Sequence, residues 1–119
     1  MSQDSISNFE LRELKNNIVS ISLGENLIGG NDAMNFSSKL LELNQKNIQH
    51  VIVDLKSVKV INSSGIGMLV SGMTTLKKNN ASMILVGLSD KIKSIMQMTH
   101  LDQVFKTYEN MDDAVNSIK

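Results

Sequence analysis

The chain has no cysteine, no proline and no tryptophan, and aromatic residues make up 3% of it. Without cysteine there are no disulfides, no thiolate nucleophile and no thiolate metal site. His50 and His100 are its two histidines, which argues equally against a histidine-rich metal centre. Charge of one sign is missing too: 12 basic residues balance 12 acidic ones. No net field therefore draws the protein to nucleic acid or to an anionic membrane, and the densest basic spot is the pair Lys77 and Lys78. No apolar run approaches the roughly 20 residues that a membrane span needs. The opening residues Met1, Ser2, Gln3 and Asp4 are polar and lack the pattern of a signal peptide. These absences describe a soluble, cytoplasmic protein that binds neither nucleic acid nor metal.

What is present is one domain's worth of chain, 119 residues of which 41% are hydrophobic. Residues 1–7 are expected to be disordered, and residues 8–119 to form a single domain. Phe9 and Leu11 alternate with Glu10 and Arg12 as on a half-buried strand, and Ile18, Val19, Ile21 and Leu23 form a second β-rich run. Residues 24–31 are glycine-rich and read as a loop. Asp32 is the expected cap of a helix whose apolar face carries Ala33, Phe36, Leu40 and Leu41. Val51, Ile52 and Val53 are a continuous β-branched run, as in a strand covered on both faces. A second helix presents Ile66, Leu69, Val70, Met73 and Leu76. Residues 83–86 are another buried strand, and Ser89 and Asp90 open a helix carrying Ile92, Ile95 and Met96. A short strand near residues 104–108 precedes a last helix with Met111, Ala114, Val115 and Ile118. The order β-β-α-β-α-β-α-β-α predicts an α/β sheet with crossover connections.

The segment richest in chemistry is residues 51–70, VIVDLKSVKVINSSGIGMLV. A buried strand, a loop and then Ser63-Ser64-Gly65 place two hydroxyls at the start of a helix. The first N–H groups of a helix have no partner within it, and the helix dipole is positive there. A phosphate on either serine would meet an anion-favouring site, and Gly65 and Gly67 would leave a bare surface for another protein's backbone. The residues alone equally allow that a serine here simply caps the helix. The glycine spacing and the Lys-Ser/Thr ending of a nucleotide-binding P-loop are missing.

The same segment resembles the signature of the STAS-domain anti-sigma factor antagonists. In that signature a hydrophobic strand ends in Asp-Leu, and an apolar pair leads into Asp-Ser-Ser-Gly-Leu-Gly. Gly24-Glu25, residues 83–89 and residues 95–101 add weaker similarities along the rest of the chain. The resemblance implies the STAS fold, a mixed β-sheet with helices packed mainly on one face. It implies a partner, an anti-sigma factor that is a serine kinase of the ATP-binding kinase-like class, and a phosphatase beside it. It also implies phosphorylation at Ser64, with Ser63 as the cap and a partner-binding surface of Asn62, Ser63, Ser64, Gly65, Ile66 and Gly67. Two positions depart from the pattern: Asn62 stands where the family has an acidic residue, and the Asp of the family's Gly-Glu-Leu-Asp turn is absent. The alternative implied by the family is a non-phosphorylated STAS scaffold or subunit of a signalling or lipid-transport complex.

No Ser/His/Asp set or paired carboxylates can be assembled, so neither catalytic residues nor a cofactor is expected. Eight methionines are expected mainly as core filler. Met34 and Met98 fall off the predicted core stripes and are candidates for an adaptable contact surface.

Overall fold

The computed structural model describes residues 9–15 and 17–118, so the expectation of disorder for residues 1–7 lies outside the described residues. Strands β1 (Phe9–Lys15) and β2 (Ile18–Leu23) form an antiparallel hairpin. Its turn places Asn17 at φ 70°, a left-handed conformation that asparagine tolerates better than most residues. Then follow β3 (Asn26–Leu27), α1 (Asn31–Gln45), β4 (His50–Asp54), β5 (Val60–Ile61) and α2 (Ser63–Lys78). Next come β6 (Ser82–Val86), α3 (Asp90–Met98), a 3-10 turn (Leu101–Gln103), β7 (Lys106–Tyr108) and α4 (Met111–Ser117).

The main sheet runs β1-β2-β4-β6-β7; β1 is antiparallel to β2, and the other pairings are parallel. Parallel neighbours need a crossover between them, and α1, α2 and α3 supply helical ones on one face. That face holds the larger core, where Val19, Val51, Val53 and Leu85 meet Phe36, Leu40, Leu69, Leu76, Ile92 and Met96. On the other face the short α4 covers Ile18, Ile52, Ile84 and Val86 with Ala114. Both faces of β4 and β6 are therefore buried, which is why they read as unbroken apolar runs.

Four local expectations are corrected. Residues 24–31 and 58–61 contain β3 and β5, which pair in parallel as a second sheet, Asn26 with Val60 and Leu27 with Ile61. Helix α1 begins at Asn31 with Gly30 in the cap position, so Asp32 lies inside its first turn. Leu41 is exposed, and the buried stripe of α1 continues instead to Leu43. The buried stripe of α2 is Gly65, Met68, Leu69, Gly72 and Leu76, rotated from the predicted one. Gly72 sets that rotation: a Cβ there would lie 2.7 Å from Leu40 Cδ1 and 2.8 Å from Phe36 Cε2. Hydropathy patterns are blind to an interface made by missing side chains.

All three crossover helices start at the carboxyl end of the parallel strands. Met34, 71% exposed, lies at that end, whereas Met98, 74% exposed, lies at the far end of α3. Among the described residues, no helix is long and apolar enough to cross a membrane.

Candidate functional site

The loop after β4 returns through β5 to Asn62, whose extended backbone (φ −124°, ψ −178°) ends the strand and begins α2. Asn62 Oδ1 accepts a hydrogen bond from the Gly65 N–H at 2.9 Å, and its carbonyl accepts from the Ile66 N–H at 3.0 Å. Asn62 is thus the N-cap of α2. Ser63, expected in that role, is instead the first residue of the helix, and Ser64 the second.

This frees Ser64. The residue is exposed, and among the described residues its hydroxyl has no hydrogen-bond partner. It stands on the first turn of a helix that carries no acidic residue there, so the positive end of the dipole is uncompensated. Its backbone side is hemmed in from α1's approach segment. Gly29 is buried at φ +83°, and a Cβ on it would come within 2.7 Å of Ser64 Cβ. Only glycine combines that left-handed backbone with so close a neighbour.

Gly65 is a fixed point of the fold rather than an open surface. A Cβ at this position would collide with the Leu27 carbonyl, so the helix lies directly on β3. The same carbonyl accepts from the Asn62 N–H at 3.3 Å. The bare-surface expectation is corrected for Gly65 and holds for Gly67, which is exposed with open space where a Cβ would be. Ile66 is half-buried, while Asn62 and Ser63 are exposed.

Exposed apolar side chains also occur on the segments that lead to this end of α2. Ile28, next to Gly29, is 48% exposed, and Val60, two residues before the cap, is 49% exposed. Met34 stands one turn into α1. Sequence reasoning missed Ile28 and Val60 because their chain segments read as loop; the β3–β5 pairing brings them to this end. Asp54 closes β4 and accepts a hydrogen bond from the Lys56 N–H at 2.9 Å, a turn-forming role. His100 is exposed in a left-handed turn before the 3-10 segment. No group of three or more His, Asp or Glu side chains among the described residues could hold a metal ion.

Comparison with known proteins agrees with this architecture. The anti-sigma-B factor antagonist of Staphylococcus aureus is 25% identical over 73 residues, 61% of this chain and 68% of its own length. The Bacillus cell-fate determinant SpoIIAA in its phosphorylated form superposes with a TM-score of 0.73 at 18% identity, over 93% of this chain and 99% of that one. Its unphosphorylated form gives 0.72 at 17% identity, over 92% and 94%. The family model described as STAS domain matches residues 10–114. This chain belongs to the STAS domain family.

Proposed function

We propose that the protein is an anti-sigma factor antagonist. In its unmodified form it binds an anti-sigma factor of the ATP-binding, kinase-like class, so that a sigma factor is released. That partner phosphorylates Ser64 and is thereby expelled, and a phosphatase resets the switch. The carrying observation is that Ser64 is an exposed, uncommitted hydroxyl on a helix start whose capping is already done by Asn62.

The contact surface on this reading comprises Asn62, Ser63, Ser64, Ile66 and Gly67, with Ile28 and Met34 as apolar anchors beside them. Gly65 contributes from beneath by holding α2 against β3. Phosphorylation adds about −1.5 to −2 charges in the middle of that surface. Enclosing such a group without a counter-ion costs several kcal/mol. A loss of about 3 kcal/mol weakens binding by more than 100-fold. No change of fold is needed, and the near-equal superposition on both forms of SpoIIAA is in keeping with a local switch.

The experiment is incubation with the kinase-like partner and ATP, followed by phosphosite mapping and binding measurements. One phosphate is expected on the wild type and none on Ser64→Ala. The Ser64-phosphorylated protein is expected to bind at least about 100-fold more weakly than the unmodified one. Undiminished binding by the phosphorylated protein defeats the proposal. A second reading draws on Asn62, which replaces the acidic residue of the family pattern: a STAS scaffold in a signalling or lipid-transport complex that is never phosphorylated. Intact partner binding with no phosphate incorporated into wild type selects it.

A further inference from the structure

At the opposite end of the molecule, where the parallel strands begin, the sheet edge carries a cavity of about 360 Å3. That is within the range of roughly 300–1,000 Å3 usual for small-ligand sites. His50 of β4, Ser82 of β6 and Lys106 of β7 line it from neighbouring strands, and Lys77 reaches it from the last turn of α2. His50 Nδ1 lies 2.8 Å from Ser82 Oγ, which fixes the imidazole. Among the described residues neither Lys77 nor Lys106 joins an ion pair, and no acidic side chain lines the cavity. Three basic groups thus converge in a chain of zero net charge. The remaining wall is largely apolar, with Met73, Val104 and Ile118 prominent.

A lysine at a helix C-terminus or on an edge strand has an ordinary explanation. Those explanations treat each cation singly and do not account for their meeting a histidine and an apolar wall in one hollow. We infer that this cavity binds a small amphiphilic carboxylate, its head group between Lys77 and Lys106 and its hydrocarbon body against Met73, Val104 and Ile118. Orientation by a few polar groups within an otherwise apolar lining is the usual design of such sites. The inference is independent of the Ser64 switch.

Binding has an internal reporter. Burial first, and then the charge of Lys106, hold His50 below its ordinary pKa. The groups sharing its cavity are Lys106 from β7, Lys77 from α2, and the uncharged Ser117 and Ile118 from α4's end. A carboxylate lodged beside Lys106 opposes that cation's effect, so the pKa of His50 rises on binding and affinity grows as pH falls. His100, exposed and outside the cavity lining, is the second ring followed.

The test is NMR titration of the two histidine rings in the full chain with hexanoate, hexan-1-ol or inorganic phosphate at constant ionic strength. Hexanoate is expected to saturate and to raise the His50 titration midpoint. The Lys77→Gln/Lys106→Gln double variant is expected to lose at least about tenfold in affinity. Val104→Asp, a change at a 47% exposed position, should abolish binding while the chain stays folded. Absence of saturation by hexanoate overturns the inference. So does equal affinity for hexan-1-ol or for phosphate, or unchanged affinity in both variants.

Discussion

At the scale of single residues, the identity of the α2 cap separates structure from function. Removing the Asn62 Oδ1 acceptor with Asn62→Ala is expected to lower stability by about 1 kcal/mol in urea denaturation. Asn62→Asp keeps the hydrogen bond to Gly65 and adds a charge that the helix dipole favours. It should therefore raise stability by about 0.3–1 kcal/mol. The same charge stands two residues from Ser64, so part of that gain should be lost when Ser64 is phosphorylated, as urea denaturation of the two forms would show. His50 gives a pH prediction. Its folded pKa is lowered from 6.5, so the unfolded chain takes up a proton more readily than the native one. The stability conferred by its neutral form is complete above about pH 6.5 and is lost as pH falls through the folded value. Urea midpoints measured downward from pH 7 should fall, and His50→Gln should flatten that slope. That two serines stand at the start of α2 was legible because strand, loop and Ser-Ser-Gly come in order, while the choice of Ser64 came from the family resemblance. The cap was not, since Asn62, Ser63 and Ser64 are all good N-caps and the helix start is decided by a distant contact with Leu27.

Among the elements, the junction of α2 with the β3–β5 pair governs where the serine stands. Gly65→Ala forces a methyl group into the Leu27 carbonyl and should destabilise the protein by about 2–3 kcal/mol. Gly67→Ala meets open space on an exposed helix and should stabilise it by about 0.5–1 kcal/mol. Thermal or urea unfolding of the two variants gives opposite signs if the junction is as described. Long amphipathic helices and the doubly buried strands β4 and β6 were legible because their periodicity repeats over many residues. The two-residue strands β3 and β5 were not, being too short for any pattern and defined only by each other. Helix α2 was placed correctly and turned wrongly, because its contacts with α1 and β3 are made through glycines.

For the molecule as a whole, the two proposed sites lie at opposite ends of the sheet, Ser64 at the carboxyl end and the lysine-lined cavity at the amino end. Met34 is 71% exposed in the first turns of α1, at the sheet end where Ser64 stands, and makes no part of the core. Met34→Asp is therefore expected to change stability by less than about 0.5 kcal/mol while weakening the anti-sigma partner at least about tenfold in calorimetry. The alternation of strands and helices made the α/β class legible, and the motif in residues 51–70 made the family legible. The lateral order β1-β2-β4-β6-β7 and the isolation of α4 on its own face were not, since they depend on which distant segments meet. That order also governs how the chain folds. Beyond the first hairpin, each of the pairings β2–β4 and β4–β6 joins residues roughly thirty apart, so loop closure must precede any ladder bond. The chain contains no proline, so refolding lacks the slow prolyl isomerisation step that takes tens of seconds. Refolding is therefore expected as a single phase slowed by the pairing of the central strands, which stopped-flow fluorescence or circular dichroism would check.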